Sequence, residues 1–295
     1  MTLIVELLTI LAPVFLTAAV GYVWGLRRWS FNHAFVAEII GKVSAPCLVF
    51  AALASAAVDP AALGTVALAM ALCVVVFFAV GWVGLRALGM PVSVHLPPLI
   101  TPNTGNMGLP VSLFAFGPEG LAYGVAIMAT LSITCFTLNI WIASGKASPL
   151  EAVRQPAVWA AALGMAAATT GVELPRWLFN TTELIGGIAI PLMLIALGVS
   201  IAELEIRHLG RSVGLSLWRI GMGLAVGVAM AAAFGLTGAA AGVLILQASM
   251  PAAVFTFLFA QMYDQRPAEV AGTIVVSTLL SLITLPLILW AVLPA

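Results

Sequence analysis

Charge is what this sequence most lacks. Only 7% of its 295 residues are Asp, Glu, Lys or Arg, where a soluble globular domain carries about a quarter. Acidic and basic residues number 11 each, so the formal net charge is zero and nucleic acid is not expected as a partner. Cysteine is scarce too. Cys47, Cys73 and Cys135 lie singly in apolar stretches, without C-x-x-C spacing or a disulfide framework, and read as small core residues. His33, His95 and His208 are scattered. No His-x-x-x-His, Gly-x-Ser-x-Gly or phosphate loop is present, so no enzyme, metal set or cofactor is expected. The opening "MTLIVELLTILAPVFLTAAVGYVWGLRRW" lacks a basic n-region and a clear small-residue cleavage site. It is expected to stay in place as a first span.

What is present is apolar. Hydrophobic residues make up 63% of the chain and the mean hydropathy is +1.17. No soluble fold of this size hides so much apolar surface. An all-α polytopic membrane protein is expected. A span needs about 20 apolar residues, and roughly ten stretches qualify, near 4–25, 35–56, 62–85, 95–116, 120–143, 156–172, 183–203, 213–235, 239–261 and 269–293. The longest connection, "SGKASPLEAVRQP", is polar and lies near the centre. It divides a first half, 1–145, from a second half, 156–295, through a connection at 146–155. Loops after odd-numbered spans hold Arg27, Arg28, Arg86, Lys146, Arg154, Arg207, Arg211 and Arg266, whereas the other side holds Arg176. The positive-inside rule then puts the odd loops in the cytoplasm and both termini outside.

The two halves echo each other. Pro46 to Ser55 and Pro191 to Ser200 each run from proline through mostly apolar residues to serine, at an offset of about 145. In span 4, Asn106 precedes Pro110 by four residues, as Gln247 precedes Pro251 in span 9, at an offset of about 141. An odd number of spans per half inserts the second half upside down, the inverted-repeat plan of secondary transporters.

The stretch "LITPNTGNMGLP", residues 99–110, sets helix breakers and amides inside apolar sequence. A proline cannot donate to the carbonyl four residues back. In lipid each freed backbone group costs several kcal/mol unless something satisfies it. Pro102, Gly105, Pro110 and Pro251 are therefore expected to hold open two broken, crossing helices. Half-helices starting near Gly108 and Ser249 would present N–H groups and positive dipole ends at the midplane. Flanked by Asn103, Thr104, Asn106 and Gln247, these ends suit an anion such as a carboxylate. Opposing C-termini, with Thr101 nearby, suit a small cation. Thr130, Ser277 and Thr278 either line a cavity or bond their own helix backbone. Glu38 and Lys42 read as an interfacial helical pair, and Arg219 as a side chain snorkelling to the cytoplasmic interface.

The motifs "PNTGNMGLP", "FGPEGLAYGVAIMATLSITCFTLNIWI", "LQASMPAAVFTFLFAQMYDQRP" and "STLLSLITLPLIL" resemble the auxin efflux carrier family, over essentially the whole chain. That family holds PIN-type auxin carriers and bacterial carriers linked to malonate or malate. The resemblance implies ten helices in two inverted five-helix repeats, similar to bile acid:sodium symporters and the NhaA antiporter. It implies a scaffold domain against a transport domain, with helices 4 and 9 crossing at the substrate site, and a homodimer formed through the scaffold. It also assigns substrate contact to Asn103. The long cytoplasmic loop of plant members is absent, Asn106 stands where plant members are usually apolar, and Thr130 or Leu131 stands where they carry glutamine. A small organic anion is the expected substrate, in a bacterial inner membrane. The coupling ion, proton or sodium, is left open, as are a sodium-coupled symporter of the bile acid type and a non-transporting sensor.

Overall fold

The computed structural model describes residues 2–56, 58–139, 141–142, 154–170, 172, 174–206 and 208–293. Lys146, Arg207 and most of the central connection lie outside the described residues. The described chain forms α1 (Thr2–Leu26), α2 (His33–Ile39), α3 (Ala45–Ala54), α4 (Pro60–Ala87), α5 (Val92–Ile100) and α6 (Leu109–Thr134). After the centre come α7 (Pro156–Thr170), α8 (Arg176–Gly186), α9 (Ala189–Glu203) and α10 (Leu209–Ala233). The last three helices are α11 (Gly238–Ala248), α12 (Phe255–Met262) and α13 (Pro267–Val292). Single π turns at Ile40–Ser44, Thr104–Gly108 and Cys135–Asn139 join or extend helices.

Among the described residues, seven helical stretches are long and apolar enough to cross a membrane, and two shorter apolar helices, Pro156–Thr170 and Gly238–Ala248, accompany them. The protein is a multi-pass membrane protein. Local sequence sets the helix ends. Asn32 accepts from the Phe35 N–H at 3.0 Å to cap α2. Asp59 accepts from the Ala61 N–H at 2.9 Å, with Pro60 in the first turn of α4.

The long stretch Thr104–Asn139 is not one rod. Gly117 sits at φ 64°, ψ −156°, and Pro118 follows. A Cβ built on Gly124 would lie 3.2 Å from Leu109. Along a straight helix those residues would stand about 22 Å apart. The chain therefore folds back at Gly117, and its two arms pack antiparallel.

Packing falls into two groups. In the first, α1 runs along α9, and α3 packs on α7 and α8. In the second, α4, α5, α6, α10, α11 and α13 pack on one another. The first group depends on missing side chains. A Cβ at Gly198 would collide with the backbone of Ala18, and one at Gly21 with that of Ile195. Close approach through small residues supplies the dispersion that lipid-exposed helices need in place of a hydrophobic force. Gly186 lies against the backbone of Cys47 and Leu48 in the same way, which sets the end of α8 against the Pro46 segment of α3. Gly198→Val is expected to cost about 1–3 kcal/mol by overpacking. Gly41→Ala, with open space around it, is expected to be neutral in thermal unfolding of the purified protein.

Candidate functional site

Two helices break part-way along their length and cross. The first stops at Ile100 and resumes at Thr104. The second stops at Ala248 and resumes at Phe255. The intervening strands form an antiparallel bridge between Pro102 and Ala252. The Asn103 N–H donates to the Pro251 carbonyl at 2.8 Å, and the Ala253 N–H donates to the Thr101 carbonyl at 2.9 Å. Pro102 and Pro251 bring no N–H, so neither leaves a donor unsatisfied there. Ser277 reaches over from α13, and its Oγ accepts from the Ala252 N–H at 3.1 Å.

This register corrects the expected one. The prolines in the two breaks are Pro102 and Pro251. Pro110 lies inside α6, after the π turn. The resumed half-helices begin at Thr104 and Phe255, not near Gly108 and Ser249. The Gly108 N–H is satisfied, donating to the Asn103 carbonyl at 3.0 Å.

A cavity of about 130 Å³ lies against the crossing, and Thr101, Pro102, Asn103, Thr104, Gly105 and Asn106 all line it. Ala253 and Phe255 line it from the second break. Asn103 is 3% exposed, and its Nδ2 has no hydrogen-bond partner among the described residues. Its backbone is fixed on both sides while its amide stays open. Thr101 is held by Asn139, whose Nδ2 donates to the Thr101 Oγ1 at 2.8 Å. A larger cavity of about 600 Å³ shares Ile40, Asn106 and Phe255 with the first. It extends to His33 at the start of α2 and Glu203 at the end of α9, which pair at 2.8 Å. Its remaining wall is largely apolar, from residues such as Val36, Val254 and Phe257.

Other expected site residues lie elsewhere. Gln247 is fully buried, with Nε2 donating to the Ser112 Oγ at 3.1 Å. Its amide occupies the space that a Cβ on Gly108 would fill. Gly108 thus makes room for a latch between α6 and α11. The Ser249 Oγ donates to the Ile245 carbonyl at 2.6 Å, within its own helix. Neither cavity reaches Gln247 or Ser249. Thr130 and Thr278 bond their own helix backbones at 3.0 and 2.8 Å. Ser277 seals the break instead of facing a cavity.

Arg219 overturns its expected role. It sits about 15 Å along α10 and is fully buried. It does not reach an interface. Its Nη1 donates to the Leu99 carbonyl at 2.5 Å, its Nη2 to the Ala248 carbonyl and its Nε to the Met250 carbonyl at 3.4 Å. Its guanidinium carbon lies 4.5 Å from the centre of the Phe77 ring. Its isolation in an apolar helix was the only signal that marked it in the sequence.

Comparison with known proteins identifies the family. Residues 139–289 match the family described as "Membrane transport protein". The chain belongs to that family. It is the auxin efflux carrier family that the crossing motifs resemble. An uncharacterized transporter of Methanothermobacter thermautotrophicus is 32% identical over 200 residues, 64% of each chain. An uncharacterized transporter of Methanocaldococcus jannaschii is 24% identical over 203 residues, 65% of each chain. The matches thus span just under two thirds of these relatives.

Gln247 bonds across helices through Nε2, with its Oε1 unpartnered among the described residues, whereas it is the donor of Asn103 that is open. Gln247→Ala is expected to destabilise this family member by about 1–3 kcal/mol, since it strands a buried partner and leaves a void. Asn103→Ala is expected to match or exceed the parent in stability, because it removes an unpaired buried amide. Thermal unfolding in detergent distinguishes them.

Proposed function

We propose that this protein is a secondary carrier that moves small organic anions, carboxylates above all, across a cytoplasmic membrane by alternating access. The carrying observation is the unpartnered Nδ2 of buried Asn103 beside the two resumed half-helices. Helix N-termini offer free N–H groups and a positive dipole end. An amide donor between two such ends matches the charge and geometry of a carboxylate. The small cavity, about 130 Å³, lies well below the roughly 300–1,000 Å³ of drug-sized pockets. An acid of malonate or malate size matches that volume, and a larger acid would extend into the adjoining cavity of about 600 Å³.

The ten-span, inverted-repeat reading of this family member has specific support. The fold-back at Gly117 turns the Thr104–Asn139 stretch into two arms, and two broken helices cross antiparallel. Both breaks lie in the second packing group, which takes the part of the moving domain. The group built on α1, α3, α7, α8 and α9 takes the part of the scaffold. The larger cavity runs from Asn106 to His33 and Glu203, at helix ends that the arginine distribution assigns to the cytoplasm. This conformation accordingly reads as the one open to the cytoplasm.

The test is charge movement in proteoliposomes challenged with malonate, malate, other small carboxylates and indole-3-acetate. A current or labelled flux with a small carboxylate is expected, with Asn103→Ala inserted normally but at least about tenfold slower, the cost of one lost charge-assisted bond. Saturable binding with no flux in any direction would replace the carrier with a sensor. Full flux in Asn103→Ala would remove the site assignment.

A further inference from the structure

The crossing has two kinds of helix end, and both positive ones, at Thr104 and Phe255, line the cavity. The other two are C-termini, at Ile100 of α5 and Ala248 of α11. Each carries carbonyls with no partner in its own helix and the negative end of a dipole. Inside lipid such groups need donors or a cation. Converging backbone carbonyls at broken helices are the ligands with which discontinuous transporter helices take up sodium or protons, and hard cations favour oxygen sets of this kind.

Here a side chain has filled the place. Arg219 donates to carbonyls of both C-terminal ends, Leu99 on one side and Ala248 and Met250 on the other. Its other face is closed by Phe77. Among the described residues no carboxylate forms an ion pair with Arg219. Its charge is therefore balanced by carbonyl dipoles and by the ring. The fit has its own provision of space. A Cβ on Gly223, one turn along α10, would strike the Ala248 carbonyl and come within 2.9 Å of the Arg219 Nη2.

We propose that Arg219 is a tethered cation, permanently occupying the carbonyl site that a mobile coupling cation would otherwise need, so that this protein works without sodium. The proposal rests on the carrier reading for its transport consequence but not for its binding consequence. The positive charge stays with the crossing through every step, and a bound carboxylate meets that charge instead of arriving with a co-transported ion.

The test begins with purified protein and no substrate. Melting temperature is measured in sodium, choline and dilute guanidinium chlorides at equal chloride. The parent is expected to melt alike in sodium and choline. Arg219→Ala is expected to melt several degrees lower and to recover in guanidinium or sodium but not in choline. If the alanine variant does not fold, Arg219→Lys and Arg219→Met replace it. Lysine is then expected to melt well above methionine, and equal melting of the two would overturn the proposal. Selective stabilisation of the parent by sodium would also overturn it, as would an alanine variant indifferent to every cation. In vesicles the parent's flux is expected to be unchanged when choline replaces sodium, and sodium-driven flux would contradict the proposal. A protein showing this cation pattern but no flux would sink the carrier reading alone.

Discussion

A helix interrupted inside lipid exposes peptide groups that no water can satisfy, and the rest of this structure is arranged around that constraint. The crossing meets it group by group. The Asn103 and Ala253 N–H groups go to the opposite strand, the Ala252 N–H goes to Ser277, and Pro102 and Pro251 present no donor at all. On the carbonyl side Leu99, Ala248 and Met250 converge on Arg219. The elements around the breaks follow from this. The α10 helix delivers the guanidinium, α13 delivers Ser277, and the π turn after Asn103 closes on that residue's carbonyl.

Satisfying the carbonyl ends with a fixed cation has a chemical consequence at the opposite ends. The resumed helices at Thr104 and Phe255 keep their positive character, and no acidic residue lines the small cavity beside them. On the proposed carrier reading, an anion is the ligand whose desolvation is best repaid at that place. The open Asn103 amide fits the same account. A buried donor without a partner is a stability cost, and binding a carboxylate would relieve it.

Much of this was legible in the sequence, and the failures have physical reasons. Membrane class and the broken stretches at 99–110 and 247–251 follow from hydropathy and from what proline does to a helix. The register does not. Pro102 and Pro110 lie eight residues apart, about two helical turns, and local sequence does not say which of them carries the break. The π turn at Thr104–Gly108 absorbs the second proline and leaves it inside a helix. Gln247 looked like a ligand because amides in spans are rare, but its partners are Ser112 and the gap at Gly108, more than a hundred residues earlier. Local sequence sets Arg219 about two turns from the cytoplasmic end of its span, which suggests snorkelling to the interface. Its actual partner Leu99 is separated from it by 120 residues. Contacts of that range carry no local signature.

The most direct measurement is an experimental density map of the protein with a small dicarboxylate bound, at a resolution that shows side chains. The account predicts ligand density against the Asn103 Nδ2 and the N–H groups that begin the Thr104 half-helix, with the Arg219 guanidinium still on the Leu99 and Ala248 carbonyls. Ligand density confined to the His33–Glu203 end of the larger cavity, or a guanidinium turned away from those carbonyls onto the anion, would contradict it.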